Sequence, residues 1–144
     1  MNVALIFIWV ILTFIIMAFL EKTIEGPNAW AKKSYGWKYK FTRRISLTEY
    51  HLTLNIFILM MGLLPLIIYG FNLKIFGVLL SAFMVGMVVE DFSYFIVNPY
   101  FGLRKFNAKD ARWYPWLKFG EFEIPAGYII NVVIAILSWL ILWR

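Results

Sequence analysis

Residues 74–98 read KIFGVLLSAFMVGMVVEDFSYFIVN, and this stretch decides the fold class. Between Lys74 and Glu90 it carries no charged residue, and Pro99 follows it directly. About 20 mainly apolar residues, rising 1.5 Å each in a helix, cross a hydrocarbon layer of about 30 Å. A proline also disfavours helical backbone in the residue before it. The stretch therefore predicts a membrane-spanning helix that ends near Asn98.

Three further stretches have a similar length and apolar character: residues 2–20, 50–69 and 124–143. Of the 144 residues, 62% are hydrophobic, against about 45–50% in soluble domains. A chain this small cannot bury that much apolar surface away from water. We therefore predict an all-α, polytopic membrane protein in which a single domain, residues 1–144, forms four transmembrane helices in an antiparallel bundle.

The basic residues indicate the orientation of the chain. The two long connections, residues 21–49 and 99–123, hold every Lys and Arg except Lys74 and Arg144. Connections rich in Lys and Arg remain on the cytoplasmic side of multi-pass proteins. We expect a protein of the cell membrane with both long connections in the cytoplasm and both termini on the outer side. The short link GFNL, residues 70–73, predicts a tight hairpin between the second and third helices.

Two adjacent acids, Glu90 and Asp91, interrupt the apolar run of the third helix. An ionised side chain in hydrocarbon costs several kcal/mol unless it is paired, hydrated or neutralised. Residues four apart share a helix face, and Glu90 shares its face with Ala82 and Gly86. Small residues let a neighbouring helix approach closely. We therefore expect Glu90 to point into the bundle and Asp91 to reach the same interior.

The other helices place polar residues at similar depths. Counted inward from the ends that join the long connections, one set lies about 8–12 Å deep at 1.5 Å per residue: Asn55, Glu90, Asp91 and Asn131. We expect a polar cavity that opens to the cytoplasm and is lined, beside the acids, by amides and a phenol: Asn55, Tyr94, Asn98 and Asn131. The alternative is that Glu90 or Asp91 ties helices together and binds no ligand.

The candidate catalytic residues are the two acids and the one histidine of the chain: Glu90, Asp91 and His51. Carboxylates and an imidazole can exchange protons with a substrate, and together they suit Mn, Fe or Zn. A divalent metal is therefore a candidate cofactor, with these candidate ligands: Glu21, Glu25, His51, Glu90 and Asp91. The chain has no cysteine, which excludes disulfides and thiolate chemistry, and one histidine excludes multi-histidine di-iron sites within one chain.

The long connections mix basic and aromatic residues, as segments at the lipid headgroup level do. We predict that five basic side chains hold a phosphate-bearing headgroup or another anion: Arg43, Arg44, Arg104, Lys105 and Arg112. Membrane lipids and anionic headgroups are therefore the expected partners, with a homo-oligomer or a larger membrane complex also open. Nucleic acid is not expected, because a membrane surface already requires this composition.

Three functional classes remain open at this stage. The first is a site, metal-dependent in one version, that binds or converts a lipid or an anionic headgroup substrate. The alternative is an accessory or scaffold subunit of a membrane complex. A second alternative is a small ion- or proton-coupled transporter with Glu90 as the binding acid, although the outer half of the helices offers few polar residues for a path. The sequence leaves open whether the protein is an enzyme.

Overall fold

Four helices dominate the computed structural model, which describes residues 2–27, 36–41 and 46–144, except for the side chain of Ser46. They are α1 (Val3–Glu25), α2 (Glu49–Ile68), α3 (Leu73–Val97) and α4 (Ala126–Ser138), which continues as a π-helical segment, Trp139–Trp143. All four are long and apolar enough to cross a membrane by length and composition. The chain is therefore mainly helical and suited to a multi-pass membrane protein, as its sequence predicted.

Polar side chains fix where three of these helices begin. Asn2, Thr48 and Asn72 precede α1, α2 and α3, and each side-chain oxygen accepts a hydrogen bond from the backbone N–H three residues later. Such caps satisfy a donor that the first turn of a helix leaves without a partner. At its other end α1 stops at Gly26, whose φ of +53° is a backbone conformation that glycine adopts without steric cost.

Helices α1 and α3 approach closely at a glycine. The ring of Phe14 lies directly over Gly86 and meets Phe83 edge-on, with the two ring centroids 5.2 Å apart. Met17 of α1 and Ile58 of α2 complete this buried cluster, and Leu54 of α2 packs against it. Because Gly86 has no side chain, the backbone of α3 can come near α1 at this level.

Serine hydroxyls join α3 to the fourth helix. Ser81 donates to the carbonyl of Ala135 at 3.0 Å, and Ser138 donates to the carbonyl of Gly77 at 2.9 Å. The indole N–H of Trp143 donates in turn to the Ser81 hydroxyl at 2.9 Å. Interhelical hydrogen bonds of this kind stabilise helix pairs within a membrane.

Each long connection contains a short antiparallel ladder, which the all-α prediction did not include. Strand β1 (Lys38–Lys40) pairs with β2 (Ser46–Thr48), and β3 (Trp116–Phe119) pairs with β4 (Phe122–Pro125). Gly120, with φ of +62°, lies in the turn between β3 and β4. Aromatic side chains favour strands, but segments this short carry too little periodicity to separate them from ordinary connections.

Two helix boundaries differ from the predicted ones in a way that matters for the site. Helix α1 was predicted to end near residue 20 but continues through Glu25, so Glu21 and Glu25 lie on a helix. The fourth helix begins at Ala126 instead of residue 124, so Ile124 and Pro125 fall in β4. Apolar length marks the part of a helix that lies in lipid, whereas polar residues continue a helix beyond it at little cost.

Candidate functional site

Acidic side chains of α1 and α3 meet near the helix ends that join the long connections. Glu21 and Glu25 are one turn apart on α1, and Glu90 and Tyr94 are one turn apart on α3. Each pair therefore lies on one face of its helix. Glu21, Glu25 and Glu90 expose only 9%, 5% and 6% of their surface. Glu90 is thus buried, as the small residues on its helix face indicated.

Three carboxyl groups at this end of α1 and α3 form what we call the carboxyl cluster: Glu21, Glu90 and Asp91. The carboxyl of Glu90 lies within hydrogen-bonding reach of Glu21 on α1 and of Asp91 beside it. Carboxyl groups at that separation repel each other unless they share a proton or a cation. The Oε1 atom of Glu90 is buried and has no hydrogen-bond partner among the described residues. The cluster can therefore accept a further proton or a positively charged group.

Beside the cluster lies the imidazole pair, Glu25 and His51. The His51 Nε2 atom is 3.5 Å from Glu25 Oε1, and the Tyr94 hydroxyl donates to Glu25 Oε2 at 2.9 Å. The hydroxyl of Thr48 contacts His51 Nδ1 and also accepts a hydrogen bond from the His51 backbone N–H. These contacts join α1, α2 and α3. An imidazole next to a carboxylate is suited to take up and release a proton.

A tyrosine of the second long connection also reaches the cluster. The Tyr114 hydroxyl donates to Asp91 Oδ1 at 3.0 Å. Burial, and then the neighbouring Asp91 carboxyl, raises the pKa of Tyr114 well above its ordinary value, so its hydroxyl remains a neutral donor. Asp91 is therefore held by a group that donates a hydrogen bond but supplies no positive charge.

Tyr50, at the start of α2, completes this set of phenols. Its hydroxyl is buried and has no hydrogen-bond partner among the described residues. The same hydroxyl lies close enough to Glu21, Glu25 and Glu90 to interact with their charges. One donor, from Tyr50, and one acceptor, from Glu90, are thus left without partners in the same part of the structure. Buried polar atoms without partners are rare, which marks this part of the structure as a candidate site.

An aromatic layer from the second connection covers this end of the helices. Phe95 of α3 is fully buried, and its ring centroid lies 5.0 Å from that of Phe106 and 6.3 Å from that of Trp113. Aromatic contacts of this length stabilise a packed core beyond the area that they bury. The layer fixes the second connection against α3 and so holds Tyr114 next to Asp91.

The amides predicted to line a cavity have other contacts. Asn55 donates to the His51 carbonyl of its own helix at 2.7 Å. Asn98 donates to the carbonyl of Gly26 at 3.3 Å and ends α3, so it ties the ends of α1 and α3 together. Asn131 is half-buried on α4, and the contacts that define the carboxyl cluster do not include it. Their role as cavity residues stays a prediction.

The predicted anion-binding residues divide into two groups. Arg43 and Arg44 lie outside the described residues. Arg104, Lys105 and Arg112 are exposed on the second connection, where Lys105 and Arg112 donate to backbone carbonyls of the same connection at 2.8 Å. These side chains therefore lie at the surface, away from the buried acids, and headgroup binding by them stays a prediction.

The metal hypothesis gains no support from the geometry. Within residues 2–27, 36–41 and 46–144, no group of three or more His, Cys, Asp or Glu side chains is arranged to hold a metal ion. The five residues predicted as ligands are among the residues to which this statement applies: Glu21, Glu25, His51, Glu90 and Asp91. The carboxyl cluster is better described as a set of neighbouring acids than as a set of ligands around a common centre.

Sequence reasoning missed Tyr50 and Tyr114 as members of the site. Tyr50 directly precedes His51 at the start of α2, and this position was its one local signal. Tyr114 lies in the run WYPW, residues 113–116, which sequence reasoning interpreted as a headgroup anchor. Its contact with Asp91 depends on how the second connection folds back over α3, which no local pattern specifies.

Comparisons with known proteins return no relative of this chain. No protein-family model matches it, and neither a curated protein nor a solved structure does. Its function must therefore be argued from the site itself.

Proposed function

We propose that this chain is an integral membrane protein that binds a proton, or a ligand with a positively charged ammonium group, at the carboxyl cluster. The observation that carries the proposal is the contact of the Glu90 carboxyl with those of Glu21 and Asp91, with Glu90 Oε1 left without a partner among the described residues. The imidazole pair beside it exchanges protons with the bound ligand.

The charge balance of the cluster favours a cationic ligand. In the described part of the chain, the groups that act on Glu21, Glu90 and Asp91 are carboxyl, phenol and imidazole groups, and no Lys or Arg is among them. Buried negative charge without a paired cation is strongly unfavourable. An ammonium group has three donors and no acceptor, so it can bond to all three carboxyl groups at once.

The same proposal includes the arrangement in the membrane: an antiparallel bundle with both long connections in the cytoplasm. It is supported by the distribution of Lys and Arg and by contacts at the two ends of the helices. At one end Asn98 bonds to Gly26, and at the other the ring centroids of Phe7 and Trp143 lie 5.9 Å apart. In this orientation the ligand reaches the cluster from the cytoplasmic side.

Transport across the membrane is not favoured by the contacts in the other half of the helices. The hydroxyls of Ser81 and Ser138 donate to helix carbonyls, and the Trp143 indole bonds to Ser81. These polar groups hold α3 against the fourth helix instead of lining a path. A binding or acid–base role at one side of the membrane therefore accounts better for the arrangement.

Thermal unfolding of the detergent-solubilised protein tests the proposal. The probes are methylammonium chloride, sodium chloride and magnesium chloride at matched ionic strength, added to wild type, Glu90→Gln and a control, Glu121→Gln. Glu121 is exposed in the turn between β3 and β4. A ligand at a hundred times its Kd stabilises the folded state by about 2.7 kcal/mol.

We expect methylammonium to raise the Tm of wild type and of Glu121→Gln, and to leave the Tm of Glu90→Gln unchanged. Sodium and magnesium serve to separate specific binding from a general effect of salt on surface charges. If wild type and Glu90→Gln respond equally to every probe and to acidification, the carboxyl cluster is not the binding site.

A further inference from the structure

The carboxyl cluster is closed to its surroundings in this structure. Glu90 is 6% exposed, and its Oε1 atom is buried, as is the hydroxyl of Tyr50 nearby. The elements around the cluster are α1, α2, α3 and the second long connection, which reaches it through Tyr114. A ligand that bonds to Glu90 therefore needs one of these elements to move.

Three of these elements, α1, α3 and the second connection, form one packed body. Phe14 of α1 lies directly over Gly86 of α3, which holds those two helices together. The second connection packs Phe106 against the fully buried Phe95 of α3, and its own Ala111 is fully buried in the same core. Moving any of the three out of this body breaks several close contacts at once, which costs free energy.

Helix α2 is attached to this body by few contacts. The described part of the chain includes α2 and α3 entirely, and two of the 20 residues of α2 are buried, His51 and Ile58, against nine of the 25 residues of α3. Ile58 lies in the apolar cluster with Met17 of α1, and Leu54 packs against that cluster. A second attachment is the contact of His51 Nε2 with Glu25 Oε1 at 3.5 Å. Elements with few buried contacts open at the lowest free energy.

A proline lies near the end of α2 that is farther from the cluster. Pro65 is inside the helix, with Gly62 about one turn before it. Proline has no N–H to bond to the carbonyl of Met61, and helices bend at such positions. Tyr50 lies about 22 Å from Pro65 along the helix, at 1.5 Å per residue. A change of about 10° at Pro65, small beside the proline kinks of more than about 20°, therefore moves Tyr50 by about 4 Å.

The first connection is bonded to the movable end of α2. The backbone N–H of Trp37 donates to Glu49 Oε2 at 3.1 Å, and the backbone N–H of Glu49 donates to the Trp37 carbonyl at 3.1 Å. Strand β2 ends at Thr48, directly before α2. The β1–β2 ladder and the start of α2 therefore move as one unit.

We propose that α2 is a gate to the carboxyl cluster, which pivots at Pro65 and carries Tyr50 and His51 away from α1 and α3 to admit the ligand. The contact between His51 and Glu25 is broken on opening and re-formed on closure. The proposal rests on the proposed function, since a gate needs a ligand to admit. Closure over the bound ligand returns Tyr50 to its place beside Glu90 and excludes water from the site.

Labelling of Glu90 by dicyclohexylcarbodiimide at mildly acidic pH, followed by peptide mass spectrometry, measures how readily the cluster opens. This apolar reagent modifies protonated carboxyl groups that it can reach, so it reports access without any amine. The chain has no cysteine, so two introduced cysteines can be joined by a short bifunctional methanethiosulfonate. Met17→Cys with Ile58→Cys links α1 to α2. Phe7→Cys with Trp143→Cys, the control, links α1 to the fourth helix.

We expect the link between positions 17 and 58 to slow the labelling of Glu90 by about tenfold or more, and reduction of the link to restore it. The control link is expected to leave the labelling rate as in wild type. Equal labelling with either link overturns the proposal, because the reagent then reaches Glu90 without movement of α2. Unlinked protein in which Glu90 is labelled only on unfolding also overturns it.

Three single substitutions decide the question if the linked protein does not fold. Ile58→Ala removes the apolar attachment of α2 and is expected to speed the labelling of Glu90 about tenfold. Leu79→Ala truncates a side chain of α3 that is also 9% exposed, so it controls for a general loss of stability and is expected to leave the rate unchanged. Equal rates in these two variants overturn the gate. Pro65→Ala restores the bond to the Met61 carbonyl and is expected to slow labelling about threefold, and an unchanged rate overturns the pivot.

The labelling result and the methylammonium result fail independently of each other. If methylammonium stabilises wild type while the link between positions 17 and 58 leaves labelling unchanged, the carboxyl-cluster proposal stands and the gate is wrong. If the link blocks labelling while methylammonium stabilises nothing, α2 controls access to a cluster that binds no ammonium group.

Discussion

Replacing Gly86 with alanine is expected to force α1 and α3 apart beside the carboxyl cluster. A β-carbon added to Gly86 would lie 2.9 Å from Phe14 Cγ and 2.6 Å from Phe14 Cε2, closer than real β-carbon contacts come. The Phe14 ring has no room to move away, since it is 1% exposed and packs edge-on against Phe83. Overpacking of this kind typically costs about 1–3 kcal/mol.

The net effect of Gly86→Ala follows from two opposing contributions. Alanine has a higher helix propensity than glycine, by about 1 kcal/mol, so we expect a net loss of up to about 2 kcal/mol in the free energy of unfolding. Gly62→Ala is the matched control, because Gly62 also lies inside a helix and a β-carbon there would meet nothing within 4 Å. We expect the control to be unchanged or more stable by up to about 1 kcal/mol.

Equilibrium unfolding in mixed micelles of a mild detergent and dodecyl sulfate, followed by circular dichroism, measures this difference. Phe14→Leu in the Gly86→Ala background is expected to recover part of the loss, because the smaller side chain leaves room for the β-carbon. Since Glu90 lies one turn beyond Gly86 on the same face, Gly86→Ala is also expected to weaken the methylammonium response. Equal stability of Gly86→Ala and Gly62→Ala would refute the close approach of α1 and α3.

Two further predictions concern polar contacts outside the carboxyl cluster. The Ser81 hydroxyl both donates and accepts an interhelical hydrogen bond, whereas the Ser138 hydroxyl donates one. Ser81→Ala is therefore expected to lower the free energy of unfolding by about 1 kcal/mol in the same assay, roughly twice the loss caused by Ser138→Ala. Equal losses for the two variants would contradict this prediction. The hydrogen bond from Lys118, and then the backbone N–H of Ala108, lowers the pKa of Glu123 below its ordinary value of 4.5. The ionised Glu123 carboxylate therefore contributes fully to stability above pH 4.5, and this contribution is lost as the pH falls through the lowered pKa. We expect the Ala108 amide proton resonance to titrate below pH 4.5 in wild type and to stay constant in Glu123→Gln.

The location of the site could be predicted from the sequence because two simple regularities specify it. Apolar length gave the four helices, and the spacing of Ala82, Gly86 and Glu90 gave the buried face of α3. Depth along a helix follows directly from residue number, so Glu90 could be assigned a depth below the long connections, with Glu21 above it and nearer the surface. These features depend on one helix at a time.

The partners within the site could not be predicted, because they depend on how the helices are rotated relative to one another. Each residue turns about 100° around a helix, so Asn55 and Asn131 share a depth with Glu90 without sharing its contacts. The rotation of α1 against α3 is fixed by Phe14 over Gly86, a contact distant in sequence. Neither the depth nor the spacing of residues contains that information.

Glu90→Gln provides the most direct test of the central claim, that the carboxyl cluster is built to receive a proton or a cation. An amide of nearly the same shape keeps the hydrogen-bonding capacity of Glu90 but removes one of three neighbouring acids. In wild type, free energy is spent either on the repulsion among these acids or on taking up a proton that relieves the repulsion. Glu90→Gln removes that cost in either case. Sites arranged for a ligand are commonly less stable than the fold allows.

The measurement is the free energy of unfolding of Glu90→Gln and wild type at neutral pH without added amine. Our account predicts that Glu90→Gln is more stable than wild type by about 1 kcal/mol or more. If Glu90 serves only to tie α1 to α3, the amide will be less stable than wild type, and that result would contradict the account.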